Sequence, residues 1–127
     1  MISMPLDVIT FQNACEQNPS KENANLYKEL IHEEYKEFVD AIKNKDEVEE
    51  LDACMDMIWV ILGYFLMKKL NWEGAWKEVD ESNLSKIDKT TVKVIRREDG
   101  KILKPEGCKP PYLSKFVPKR DEGDDWA

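Results

Sequence analysis

Two stretches of this chain place carboxylates where a soluble helix ordinarily places leucine or valine. At about 100° per residue, Tyr27, Leu30, Ile31, Phe38, Ala41 and Ile42 share one helical face. Glu34 and Glu37 project into the same sector, while Lys28, Lys36, Asp40 and Lys43 point away. Further on, Glu49, Asp52, Asp56, Trp59 and Gly63 follow one another at spacings of three and four, with Leu70 two turns later on the same line. Bare carboxylates in one apolar seam repel one another and lose their hydration. A positive group must sit between them, and a divalent metal is the simplest. Glu34-x-x-Glu37 on one helix and Asp52-x-x-x-Asp56 on an antiparallel neighbour set four oxygen donors around one space. Mg²⁺, or Mn²⁺ in its place, takes such ligands, keeps some of its waters and completes its shell with substrate phosphates. An ion so held polarises a phosphoryl group and acidifies a bound water. The chemistry is metal-assisted hydrolysis of a phosphate anhydride.

Other residues are candidates for the rest of such a substrate. Lys86, Lys101, Lys104, Arg96 and Arg97 can neutralise phosphates, Asn83 can donate a hydrogen bond, and Trp59 can line the pocket one turn from Asp56. Glu33 and Glu49 are further candidate ligands for the ion, although Glu33 falls outside the apolar stripe, as a surface or outer residue would. Glu49 also has a plainer explanation, because acids at a helix start are favoured by the helix dipole. Glu29-x-x-His32 resembles half of a di-iron carboxylate site, but such bundles use two E-x-x-H motifs and this chain has a single histidine.

The elements that must position these groups are helices. Pro5–Glu16 reads as a short amphipathic helix with Val8, Ile9, Phe11 and Cys15 inward. Asn18-Pro19-Ser20 ends it, and Ser20 is placed to cap a second helix running to about Lys43. The short Asn44-Lys45-Asp46 link favours an antiparallel neighbour, with Asp46 as N-cap of a third helix reaching about Leu70. From Ala53 to Met67 that helix is apolar nearly all round, which suits the centre of a bundle whose outer face is covered by a second subunit. A fourth helix spans Trp72–Ser85, with Ala75, Trp76, Val79 and Leu84 inward. Beyond it, TTVKVI, the Glu98-Asp99-Gly100-Lys101 turn signal and Ile102-Leu103 form a β-hairpin over about 91–104. Lys109–Leu113, with two prolines, is extended, and 119–127 reads as a flexible tail. The expected architecture is an all-α four-helix bundle with a small C-terminal hairpin, one domain over 1–118, dimeric or tetrameric.

Bulk composition narrows the partners. With 127 residues, 42% hydrophobic and 35% charged, the chain is long enough for one real core. A formal charge of −7 disfavours a nucleic-acid backbone as partner. The uncharged run Met57–Met67 falls short of the ~20 residues a membrane helix needs. Three widely spaced cysteines, Cys15, Cys54 and Cys108, suggest reduced thiols and a cytoplasmic setting, with Cys54 a small core residue. The start MISMPLDVITF lacks the basic region of a signal peptide.

The ordered set of motifs resembles the all-α nucleoside triphosphate pyrophosphohydrolases, the superfamily of MazG-like proteins, dimeric dUTPases and phosphoribosyl-ATP pyrophosphohydrolase. Glu34-Tyr35-Lys36-Glu37 matches their E-x-x-E within HEEYKEF, and Asp56-Met57-Ile58-Trp59-Val60 matches the closing Asp and its apolar run. Asp80–Lys86 (DESNLSK) and Arg97–Pro105 (REDGKILKP) resemble a MazG-like branch in which S-N-M-S-K precedes a D-G-K-x-L-K-P hairpin and a P-P-x-L tail. The likeness covers about Pro5–Phe116. One position departs: Ala53 stands three before Asp56 where the motif has Glu. Asp52, four before, takes that role on the same face, or else Glu49-x-x-Asp52 is the literal E-x-x-D with Asp56 supplementary. The resemblance implies cleavage between the α- and β-phosphates to give a nucleoside monophosphate and pyrophosphate, Mg²⁺ dependence, a dimer or dimer of dimers, and substrate contacts from Asn83 and Lys86. The alternative is a non-catalytic helical bundle, a dimeric scaffold whose acids bind metal for stability alone.

Overall fold

Short polar punctuation decides where each helix starts and stops. The computed structural model describes residues 3–121 and 126, and it contains α1 (Met4–Ala14), α2 (Lys21–Lys43), α3 (Glu47–Met67) and α4 (Trp72–Leu84). The Ser20 hydroxyl accepts the Asn23 N–H at 3.0 Å, and the Asn23 amide donates back to the Asn18 carbonyl at 2.7 Å. Asp46 caps α3 through the Glu49 N–H (3.1 Å), and Asn71 caps α4 through the Gly74 N–H (3.1 Å). The first three helices end alike. Glu16, Lys45 and Lys69 turn left-handed, with φ of 57°, 54° and 57°. The next amide in each case reaches back to close the last turn: Gln17 to Gln12, Asp46 to Ala41, and Leu70 to Phe65.

The chain divides into two compact units, Met1–Leu70 with Lys119–Ala127, and Asn71–Pro118. In the first, α2 and α1 both pack on α3. Its core gathers Ala24, Tyr27, Val60 and Met67, flanked by Leu30, Ile31, Trp59, Tyr64 and Trp126. The approach of α2 to α3 depends on a glycine. The Tyr27 ring, 2% exposed, lies against Gly63 so closely that a Cβ there would collide with its Cε1. On α1, Val8 is buried as expected and so is Gln12, at 3% exposed, which donates to the Gly63 carbonyl at 3.1 Å. Ile9, Phe11 and Cys15, expected inward, are exposed. α1 packs chiefly on α3, so only a narrow strip of it is covered, and Gln12 is tolerated in that strip because its amide finds an acceptor in the Gly63 carbonyl. Ile42 is likewise exposed near the end of α2, and Cys54 is only half-buried. Part of the expected flexible tail, 122–125 and 127, lies outside the described residues. Of the remainder, Arg120 donates to the Lys68 carbonyl at 2.6 Å and stacks its guanidinium 4.4 Å from the Trp126 ring centre.

The second unit joins α4 to a three-stranded antiparallel sheet, β1 (Ile87–Asp88), β2 (Lys93–Arg96) and β3 (Ile102–Leu103), in that order. The expected hairpin is β2–β3, registered Ile95 to Leu103 and Arg96 to Ile102. Its turn is fixed by Gly100 at φ 86° and by Asp99, which accepts from Arg97 and from the Lys101 N–H. Strand β1 is an addition to the expectation. Two residues directly after a helix carry no alternation to read, and pairing with Val94 and Lys93 alone makes them a strand. The proline-rich stretch lies along α4, with the Tyr112 N–H on Glu78 and the Ser82 hydroxyl on the Lys109 carbonyl. Trp76 (70% exposed) and Leu84, both expected inward, are on the surface. Among the described residues, no helix is long and apolar enough to cross a membrane.

Candidate active site

Helical spacing on α2 and α3 brings four of the predicted carboxylates to one seam. Glu34, half-buried, is pushed up to about 7. Burial is the main cause, followed by Glu37, which accepts a hydrogen bond from Glu34 when that acid is neutral and repels it when charged. Asp56 and Asp52 add repulsion. Asp56, also half-buried, is raised by burial and then by Asp52 and Glu37. The Glu34 Oε2 atom is buried without any hydrogen-bond partner among the described residues. A group in that condition is costly unless something positive or protic reaches it.

Glu37 and Asp52 stand exposed at the edge of the seam. Glu33 and Glu49 are exposed, and neither is among the groups that raise Glu34 or Asp56. The backbone N–H of Glu49 donates to the Asp46 cap of α3. His32 is exposed. Trp59, one turn past Asp56, is half-buried and meets Phe11 of α1 edge to face, ring centres 5.6 Å apart at 78°. In the second unit, the Lys86 ammonium donates to the Asn83 side-chain oxygen at 3.0 Å, and Lys104 is exposed. The pairing of Phe11 with Trp59 is not readable from the sequence, where the only signal is an aromatic on the presumed inner face.

The donor set is all oxygen, shares one seam and contains one orphaned buried oxygen. That chemistry fits a hard divalent cation. Among the described residues, no three or more acid, histidine or cysteine side chains are already arranged to hold an ion.

The same repulsion has a consequence for stability. A carboxyl raised from 4.5 to about 7 holds its proton more tightly in the folded chain than in the unfolded one. Its contribution is fully present below pH 4.5 and is lost as pH rises through about 7. The melting temperature of the metal-free protein is therefore expected to fall across that window. Glu34→Gln should remove most of the fall, leaving the smaller part due to Asp56. A wild-type melting temperature that is flat or rising over this range would contradict the coupling.

A family model for phosphoribosyl-ATP pyrophosphohydrolase matches residues 9–83, more than half of the chain and the whole of the carboxylate seam. The chain belongs to that family. It is thereby placed in the MazG-like all-α nucleoside triphosphate pyrophosphohydrolase superfamily. Phosphoribosyl-ATP pyrophosphohydrolases are hydrolases of phosphoric anhydrides, and the present member is a pyrophosphohydrolase. The four helices and mostly helical content are consistent with the superfamily fold. The family supports a nucleotide-like substrate. No curated protein matched the chain.

Proposed function

We propose that the protein is a Mg²⁺-dependent nucleoside triphosphate pyrophosphohydrolase that cleaves between the α- and β-phosphates, releasing a nucleoside monophosphate and pyrophosphate. The observation that carries this reading is the Glu34 oxygen that is buried without a hydrogen-bond partner among the described residues, in a seam where Glu37, Asp52 and Asp56 repel it. Glu34, Glu37, Asp52 and Asp56 would hold the ion, which supplies charge neutralisation for the phosphates and a more acidic bound water. By where they hold the ion, the acids would set the position of the phosphate chain, and one of them would orient the attacking water and take its proton. Family membership favours this catalytic reading over a metal-stabilised scaffold. By the resemblance of the S-N-x-S-K segment, Asn83 and Lys86 contact the substrate, and Lys104 adds a cation for its phosphates.

The test is a pyrophosphate-release screen with Mg²⁺ over common, deoxy and modified nucleoside triphosphates, extended to phosphoribosyl-ATP, from which the family takes its name. Release of pyrophosphate with the matching monophosphate from a subset supports the proposal. Silence across the whole panel, from folded protein, counts against it.

We also propose that the enzyme is a homodimer. Val48, Leu51, Met55 and Ile58 follow one another on α3 at spacings of three and four and are all exposed in the single chain, Leu51 at 64%. A stripe of this kind is self-complementary across a two-fold axis and would complete a helical bundle. Leu51→Glu is expected to convert the dimer to monomer in sedimentation equilibrium at micromolar concentration. A wild type that is already monomeric would refute the assignment. Three free thiols, Cys15, Cys54 and Cys108, suit a reducing compartment, and we place the enzyme in the cytoplasm.

A further inference from the structure

Asp52, Asp56, Trp59 and Gly63 lie along a single line of α3, and α1 meets that line at its apolar end. Gln12 bonds to the Gly63 carbonyl at 3.1 Å, and Phe11 stands edge-on to Trp59. Asp56 and Trp59 are three residues apart, about 4.5 Å along the helix axis. Aromatic surface therefore begins one turn from where the carboxylates end. Val8 and Gln12 anchor α1 and are buried, yet Phe11 between them is 50% exposed. A large ring carried beside a packed aromatic with half its surface in water offers an open face for stacking.

A nucleotide has the same division into a flat aromatic end and an anionic end. We propose that Phe11 and Trp59 form the wall against which the nucleobase stacks, with Phe11 supplying the open face. This rests on the carboxylate seam being the phosphate end of the site. Every base has a π-face, so the wall selects for an aromatic heterocycle on the phosphate chain without naming which one. Phe11 is then an affinity and specificity residue, acting on binding of the base and not on the anhydride.

Calorimetric titration with the nucleoside 5′-monophosphates and with ribose 5-phosphate, in Mg²⁺, tests this on wild type, Phe11→Leu and Phe11→Ala. Wild type is expected to bind at least one nucleotide more tightly than ribose 5-phosphate. Both variants should lose about tenfold of that nucleotide affinity with their ribose 5-phosphate affinity unchanged. Phe11→Leu keeps most of the side-chain bulk, so it separates lost stacking from lost packing, and melting temperatures confirm that each variant folds. Equal binding of nucleotide and ribose 5-phosphate by wild type overturns the proposal without recourse to any variant. So does unchanged nucleotide affinity in the variants. The pyrophosphate-release screen is read separately: turnover with a KM indifferent to Phe11 removes the wall alone, and absence of turnover removes the reaction.

Discussion

Asp56→Asn is expected to lower kcat/KM for pyrophosphate release by about a thousandfold, on the scale seen when a group that manages charge in a water-poor site is removed. Asp56 is the half-buried acid of α3, and burial is the first cause of its raised pKa. Asparagine keeps its size and removes its charge, so the repulsion from Asp52 and Glu37 goes as well. The variant should for that reason melt no lower than wild type in metal-free buffer at pH 8, even as it loses turnover. Activity and stability thus move in opposite directions, as expected where like charges have been gathered for chemistry rather than for folding. Measuring both on one preparation makes the result decisive. An inactive variant that has also unfolded would speak only to packing, and a fully active one would remove Asp56 from the reaction.

Gly63→Ala carries the largest expected loss of stability. A methyl group at that position would collide with Tyr27 Cε1 and lie 2.6 Å from Cδ1 and 2.9 Å from Cζ, all within one rigid ring. The ring cannot move far, because its hydroxyl donates to Gln17 at 2.7 Å and its body belongs to the core cluster. Overpacking a well-filled core costs about 1–3 kcal/mol and occasionally more. For a chain of this size that corresponds to a melting temperature lower by roughly 5–15 °C. Alanine's better helix propensity offsets at most about 1 kcal/mol of that cost. Pairing Gly63→Ala with Tyr27→Leu, which removes the ring, should recover part of the loss. Additive penalties in that double variant would show that the contact is not the cause.

Much of the helical unit is legible in the order of residues. Ser20 and Asp46 cap as their types and positions require, and Glu34 and Asp56, placed by spacing beside apolar residues, are half-buried. These are local matters, settled by one helical period and by the hydrogen-bonding habits of a few polar side chains. Where a side chain's fate depends on what lies opposite, the sequence is a poor guide. Phe11 and Gln12 are adjacent on α1, yet the apolar residue is half in water and the amide is buried. The packing of α1 on α3 decides between them, and the Gly63 carbonyl gives the buried amide its partner. Trp76 is exposed because, within its own unit, α4 meets only the extended stretch near Tyr112 and the turn at Ser114–Phe116, too little to cover an indole. Strand β1 exists only because β2 folds back beside it.

The carboxylate seam divides in the same way. Sequence alone determined which acids share a face, because a helix of fixed pitch leaves no choice once the spacing is given. Only the tertiary structure decided which acids act on one another. It brings Asp52 and Asp56 close enough to Glu34 to raise its pKa and, among the described residues, buries one Glu34 oxygen without a hydrogen-bond partner. Repulsion and desolvation depend on distances between helices and on how much water is shut out, and neither quantity is written in the order of residues along a chain.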